Sequence, residues 1–266
     1  MNHSINHTPR KRFGQHFLHD SLIIQQIVDA IDPRSDDFCV EIGPGLGALT
    51  IPLLERVGKL TAIELDRDVI PILKEKAAKF GELTIIESDV LRVDFRDVKQ
   101  GAEKIRLIGN LPYNISSPIL FHCFEYLDVI TDMHFMLQKE VVDRMAANVG
   151  DSEYSRLSVM VQFYCDVEKC FDVPREAFNP PPKVTSGIVR LIPHAADKHA
   201  DVDKEAFEKL VQLAFSQRRK TIRNNLKNVI SDDVFEKLGI DPGARPQNLT
   251  LENYIALSKI HEASRS

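Results

Sequence analysis

Between residues 36 and 138 short apolar runs alternate with amphipathic stretches, and this rhythm constrains the fold more than any other feature of the chain. "FCVEIG" (38–43), "KLTAIELD" (59–66), "LTIIESDV" (83–90), "KIRLIGN" (104–110) and "DMHFMLQ" (132–138) are brief and apolar, and their pattern predicts buried strands. Between them, "LGALTIPLLERV" (46–57), "DVIPILKEKAAKF" (68–80) and "PILFHCFEYL" (118–127) have helical periodicity. Strands alternating with helices at this spacing imply an α/β fold with a parallel, doubly wound, Rossmann-like sheet. A ligand of such a sheet sits beyond the carboxyl ends of its strands. Farther on, "YSRLSVMVQFYCDVEKCFDV" (154–173) and "SGIVRLIPH" (186–194) are strand-like, on either side of the proline-rich "NPPPK" (179–183).

A polar stretch, "HAADKHADVD" (194–203), precedes a change to helical periodicity in "EAFEKLVQLAFSQRRKTIRNNL", "SDDVFEKLG" and "TLENYIALSKIHEA". This change places a domain boundary near residue 195, with residues 1–194 as the larger domain and 195–266 as a small helical one. A chain of 266 residues is long enough for both. With 43% hydrophobic and 27% charged residues it has the composition of a soluble globular protein. No window of 18 uncharged apolar residues is present, and the N-terminus lacks the apolar core of a signal peptide, so a cytoplasmic protein without a membrane partner is expected. Cys39, Cys123, Cys165 and Cys170 form no C-x-x-C pair, and the nine histidines have no ligand spacing, so no metal site is expected.

The net charge of −5 conceals two local basic runs. Residues 1–19 carry Arg10, Lys11 and Arg12 without an acid, and are expected to be a flexible basic segment. "SQRRKTIRNNLKN" (216–228) carries Arg218, Arg219, Lys220, Arg223 and Lys227, again without an acid. Charge alone does not distinguish solvated surface from contacts with nucleic-acid phosphates.

"VEIGPGLGALT" places Gly43, Gly45 and Gly47 where the first strand turns into a helix, so that backbone can approach a ligand closely. The spacing is G-x-G-x-G, which differs from the G-x-G-x-x-G of dinucleotide sites. Glu64 ends the second strand, where a carboxylate can accept both hydroxyls of a ribose. Asp89 follows the third, positioned to accept from an adenine amino group. Acids at three successive strand ends, Glu41 included, suit a cationic nucleoside cofactor better than a pyrophosphate, which favours S-adenosylmethionine over NAD.

"LIGNLPYNIS" (107–116) ends the fourth strand beside that site. The exocyclic amine of adenine is a weak nucleophile because its lone pair is delocalised into the ring. Two acceptors on its N–H bonds would pyramidalise the nitrogen and aim the lone pair at a methyl donor. Asn110 Oδ1 is one, and the Leu111 carbonyl is the other, with Pro112 holding Leu111 extended. Tyr113 offers a stacking face worth about 1–3 kcal/mol per base. Phe178, in "AFNPPPKV", could close the other side of a flipped base.

"KRFGQHFL", "VEIGPGLGALT", "IELDRD", "GNLPYNISSPIL", "MLQKEVVDRM", "FNPPPKVTSGIVRL" and "QRRKTIRNNL" together resemble the KsgA/RsmA family of small-subunit (16S) ribosomal RNA adenine N6,N6-dimethyltransferases, from about residue 10 to 260. The resemblance implies a class I S-adenosylmethionine-dependent methyltransferase domain followed by a helical RNA-binding domain. It implies cofactor contacts at His16, Leu18, Gly43, Glu64, Asp89 and Asn110, and target-adenine contacts at Asn110, Leu111, Tyr113 and Phe178. Gly45 and Pro112 are added from the residue reading above. The implied partner is 16S rRNA in the small (30S) subunit or its late assembly precursor, met by a monomer. Family members usually carry G-Q-N-F-L where this chain has Gly14-Gln15-His16-Phe17-Leu18. Other readings stay open on sequence alone: an NAD-dependent oxidoreductase, a non-catalytic assembly factor, and a related methyltransferase of large-subunit RNA.

Overall fold

The computed structural model describes residues 16–264. In chain order the strands are β1 (Phe17–Leu18), β2 (Cys39–Ile42), β3 (Lys59–Glu64), β4 (Glu82–Glu87), β5 (Ile105–Asn110), β6 (Ile130–Gln138), β7 (Cys165–Val173), β8 (Phe178–Asn179) and β9 (Ser186–Pro193). The helices are α1 (Ser21–Ile31), α2 (Thr50–Val57), α3 (Val69–Ala77), α4 (Phe95–Val98), α5 (Ser116–Phe124), α6 (Lys139–Ala146), α7 (Arg156–Tyr164), α8 (Lys204–Ala214), α9 (Ile222–Leu226), α10 (Asp232–Leu238) and α11 (Leu251–Ala263). Two compact units divide the chain: one runs to Val142 and resumes over Glu168–Pro193, and the other comprises Asp143–Val167 and the residues from His194 onward. The boundary expected near residue 195 falls beside the last of these crossings, while 143–167 lies with the second unit. No helix among the described residues is long and apolar enough to cross a membrane.

The first unit is built on a seven-stranded sheet of order β4-β3-β2-β5-β6-β9-β7. The pairs β2–β3, β3–β4, β2–β5 and β5–β6 are parallel, and β9 runs antiparallel to β6. The five strands expected between 36 and 138 are therefore all present, in the doubly wound order. The chain leaves β2 to one side through β3 and β4, then returns to its other side with β5. The carboxyl ends of β2 and β5 thus flank the switch point at which such sheets bind ligands. All four residues of β2 are buried, which is why the sequence there is a continuous apolar run interrupted by one acid, Glu41.

The amino-terminal ends of these strands are joined by one side chain. Arg106, near the start of β5, donates through Nε and Nη2 to both oxygens of Asp132 on β6, each at 2.9 Å. Its Nη1 donates to Asp37 Oδ2 at 2.6 Å, just before β2. The remaining donors reach the carbonyls of Ile31 (2.7 Å) and Asp32 (3.2 Å), capping the C-terminus of α1. Arg190 on β9 adds a longer contact to Asp132 at 3.4 Å.

A further pairing, hidden from any local pattern, joins residues about 160 apart. β1 and β8 form a two-stranded antiparallel ribbon with Phe17 opposite Asn179 and Leu18 opposite Phe178. Two residues are too short to show a period, so the sequence carries no signal for either strand.

The expectation for 154–173, a segment that begins in the second unit and ends in the first, requires correction. Residues 156–164 form α7, and only 165–173 are a strand. The run is dense in β-branched and aromatic residues, but Ser155 supplies a helix start: its N–H donates to Ser158 Oγ at 2.9 Å. Around α7, Phe163 stacks on Phe207 of α8 with centroids 4.3 Å apart. The continuous helix expected over 205–226 is also broken. α8 stops at Ala214, and Asn225 Nδ2 donates to the Ala214 and Gln217 carbonyls at 2.7 and 3.2 Å. Thr221 then caps a new short helix, α9, through the Asn224 N–H at 3.3 Å.

Removing Arg106 leaves Asp132, whose side chain is only 3% exposed, without its bidentate partner. The Arg106→Ala variant should lose roughly 3–5 kcal/mol of stability. Urea unfolding followed by circular dichroism measures this, and a loss below about 1 kcal/mol would show the network to be dispensable.

Candidate functional site

The glycine loop after β2 adopts a conformation that L-residues rarely take. Gly43, Gly45 and Gly47 have φ of 68°, 54° and 88°. A Cβ on Gly47 would stand 2.7 Å from Leu73 Cδ1, so that position also lacks room for a side chain. The loop is fixed from both sides. Gly43 N–H donates to the Ile63 carbonyl of β3 at 2.9 Å, and Gly45 N–H donates to Glu64 Oε2 at 3.1 Å. A side chain on Gly45 would meet the ring of Phe17 at 3.6 Å, so β1 lies over the loop.

Four acids surround the cavity that opens beyond these strand ends. Glu41 is 2% exposed and accepts a hydrogen bond from Thr50 Oγ1 at 2.6 Å. Burial, opposed by Thr50 and reinforced by Glu64, pushes its carboxyl up to about 7. Glu64 is 8% exposed and accepts the Asp66 N–H at 2.8 Å in addition to that of Gly45. Burial outweighs those backbone bonds and raises its pKa too. Asp66 is buried beside it. Asp89 stands two residues past the end of β4, where its Oδ1 accepts the Leu91 N–H at 3.0 Å.

The opposite wall comes from the end of β5. Asn110 closes that strand opposite Met136 of β6, and the Leu111 N–H continues the ladder by donating to the Met136 carbonyl at 3.1 Å. Neither the Asn110 side-chain amide nor the Leu111 carbonyl has a hydrogen-bond partner among the described residues. Pro112 opens a turn in which its carbonyl accepts the Ile115 N–H at 3.1 Å. Tyr113 Oη is 2.5 Å from Ser186 Oγ, and burial raises the phenol pKa. The His16 ring lies 6.3 Å from that of Tyr113, inclined at 26°, with Nδ1 bonded to the Pro180 carbonyl at 2.8 Å.

These walls enclose a cavity of about 1100 Å³, at the upper limit of small-molecule sites and large enough for a cofactor with a second group beside it. His16, Leu18, Gly43, Gly45, Glu64, Asp89, Asn110, Leu111, Pro112, Tyr113 and Phe178 all line it. The sequence did not single out Asp66, Thr50 or Ser186. Asp66 sits in "IELDRD", where a second acid after the strand was the available signal, but Thr50 and Ser186 carried none. Phe178 lines the cavity yet is only 2% exposed and packs in the apolar core with Leu18, Val173 and Ala177. It forms a wall rather than a free-standing clamp. Lys76 is the single Lys or Arg among the described lining residues, and it bonds the Leu46 carbonyl at 3.2 Å, so the wall around Glu41 and Glu64 is predominantly acidic. Such a site fits a ligand that brings positive charge.

Of the basic residues, Arg10, Lys11 and Arg12 lie outside the described residues. Arg218 Nη2 is bound to the Ser152 and Tyr154 carbonyls at 2.5 and 2.9 Å. Arg223 pairs with Asp232 at 2.9 Å. Arg219, Lys220 and Lys227 are exposed and make no ion pair among the described residues.

Residues 6–263 match the family described as ribosomal RNA adenine dimethylase. The ribosomal RNA small subunit methyltransferase A of Acinetobacter baylyi is 52% identical over 95% of this chain and 92% of its own. That of Nitrosococcus oceani is 51% identical over 96% and 97%. Among solved structures, a dimethyladenosine transferase from Plasmodium falciparum has a TM-score of 0.78 at 31% identity, covering 91% of this chain and 96% of its own. The 23S rRNA methyltransferase ErmE has a TM-score of 0.72 at 27% identity, covering 92% and 99%. The fold is that of class I S-adenosylmethionine-dependent methyltransferases.

The raised pKa of Glu41 has a defined consequence for stability. The folded state binds the proton more tightly than the unfolded chain, so this group's contribution is complete below about pH 4 and is lost as pH rises through about 7. Glu41→Gln removes that loss. Its melting temperature relative to the parent should climb between pH 5 and 8, to an advantage of roughly 5 °C. A difference that does not vary with pH in differential scanning fluorimetry would disprove the assignment.

Proposed function

The chain belongs to the ribosomal RNA adenine dimethylase family, and we propose that it methylates N6 of two adjacent adenosines in the 3′-terminal hairpin of 16S rRNA during late small-subunit assembly. The observation that carries this reading is the shared cavity of the Asn110–Tyr113 segment and the carboxylate-lined glycine loop. S-adenosylmethionine, when bound, supplies an electrophilic methyl group on a positively charged sulfur. In this reading Glu64 accepts from its ribose and Asp89 from its adenine, while Gly43, Gly45, Leu18 and His16 surround the methionine end.

Asn110 Oδ1 and the Leu111 carbonyl accept the two N–H bonds of the target amine and direct its lone pair toward the methyl group. The amine nitrogen becomes strongly acidic once alkylated, so no side chain need abstract a proton beforehand. Positioning and preorganised dipoles carry the rate. Tyr113 provides the stacking face, and Phe178 the apolar floor behind it. The first unit carries catalysis and the helical residues from 195 onward RNA binding, the protein acting as a monomer on the 30S particle or its precursor in the cytoplasm.

The likeness to ErmE raises a large-subunit substrate as a second reading, at the lower identity of 27% against 52% for the small-subunit relative. Purified protein incubated with labelled S-adenosylmethionine and undermodified subunits separates the two. Label is expected on the paired adenosines of the 16S hairpin, and Asn110→Ala should lower the rate roughly 100-fold or more. Label on 23S rRNA, or an undiminished rate with Asn110→Ala, would overturn the proposal.

Arg219, Lys220 and Lys227 are the exposed charges proposed to meet RNA phosphates. Changing all three to Gln should weaken particle binding and reduce the salt slope by roughly 0.7–0.9 per lost contact. An unchanged slope in filter binding would return this run to solvated surface. Arg218→Gln is a different case: it should loosen the 152–154 carbonyl anchor and lower the melting temperature.

A further inference from the structure

We propose that Ser186 is a positioning residue for methyl transfer, holding the Tyr113 ring where the target adenine stacks on it; the proposal rests on the function given above. Stacking requires an aromatic face and makes no use of a phenolic hydroxyl. Yet the Tyr113 hydroxyl is engaged, 2.5 Å from Ser186 Oγ. Ser186 is 0% exposed, and Tyr113 Oη is the partner of its hydroxyl. A buried hydroxyl deprived of its partner is costly, so each group penalises departure of the other.

The two ends of this bond differ in rigidity. Tyr113 belongs to the segment between β5 and α5, outside the sheet, where local restraint consists of the Pro112–Ile115 turn and a Ser116 Oγ donation to the Tyr113 carbonyl at 3.2 Å. Those contacts fix the backbone; the ring itself is restrained by the hydroxyl bond to Ser186 and by the His16 ring beside it, 6.3 Å between centroids. Ser186, by contrast, opens β9 in register with Gln138 at the end of β6. Its neighbour Gly187 approaches α6, the helix that follows β6, so closely that an added Cβ would meet Val142 at 3.3 Å. The hydroxyl pair therefore ties a loop-borne ring to a fixed point of the sheet. A ring held in its binding orientation before the base arrives has less rotamer freedom to lose on binding. The bond links the end of β5 to the start of β9, segments more than 70 residues apart.

The test compares Ser186→Ala, Tyr113→Phe and the double variant in methylation of undermodified small subunits. Each single change should raise KM for the particle about 3- to 10-fold. Affinity for S-adenosylmethionine, read by calorimetry, should stay within about 2-fold. In the Tyr113→Phe background Ser186→Ala should add nothing, because the bond is already gone. Multiplicative effects, or a parent-like KM in either single variant, would overturn the proposal. If Ser186→Ala does not fold, Tyr113→Phe alone decides by the same criterion. A readout without catalysis separates this inference from the function it rests on. In protein labelled with 3-fluorotyrosine, the Tyr113 resonance, assigned with Tyr113→Phe, should broaden or split in Ser186→Ala. An unchanged resonance refutes the link. A parent protein that transfers no label to any particle refutes the proposed function and leaves the spectroscopic result to decide the link.

Discussion

The catalytic unit depends on the guanidinium of Arg106. It bonds two carboxylates and two helix-end carbonyls, and so secures the entry to β2, the starts of β5 and β6, and the end of α1. Burying this charge is tolerable only because every partner is in place, Asp132 bidentately. The network sits at the amino-terminal ends of the strands and the cavity at their carboxyl ends. Fixing strand alignment at one edge sets where Gly43 and Asn110 emerge at the other, because β2 and β5 are hydrogen-bonded neighbours in a fixed register, with Ile42 opposite Gly109. That register explains why residue 109 is a glycine: a Cβ there would stand 3.0 Å from the Ile42 carbonyl.

The cavity combines two features that oppose folding. Its loop uses left-handed backbone at three glycines, and its walls bury carboxylates, whose pKa values are raised first by that burial and further by neighbouring acids. Both become useful with a cationic ligand. The absence of side chains lets the ligand reach the backbone, and its positive charge relieves the carboxylates. The same electrostatics disfavour a pyrophosphate, so the acid pattern and the G-x-G-x-G spacing favour S-adenosylmethionine over NAD for one physical reason as well as one of shape.

The parallel strands and the location of the site were legible because each rests on local chemistry. A buried parallel strand reads as an apolar run, and "VEIG", "AIEL" and "LIGN" each show such a run together with the acid or amide that ends or interrupts it. Pairings between distant segments were not legible. β1 and β8 are two residues each, and the Tyr113–Ser186 bond joins two residue types that carry no signal on their own. The helix α7 was misread because "LSVMVQF" has strand propensity, whereas its buried position and the Ser155–Ser158 cap favour a helix. Propensity is a weak prior once packing intervenes.

The cations of the second basic run differ in their surroundings for a related reason. The run from 216 to 228 reads as five equivalent cations on one helix, but the chain breaks there because Thr221 and Asn225 cap two separate helices. Arg218 then brackets the 152–154 carbonyls and Arg223 pairs with Asp232, whereas Arg219, Lys220 and Lys227 have no ion pair among the described residues. Phe178 shows the same principle in the apolar case. Its position in "FNPPPK" suggests a clamp, yet its pairing with Leu18 buries it in the core. Side chains that hold the fold together are engaged on most of their surface. The function proposed above accordingly draws on groups that the fold leaves accessible: the Asn110 amide, the Leu111 carbonyl, the Tyr113 ring, and the exposed charges of Arg219, Lys220 and Lys227.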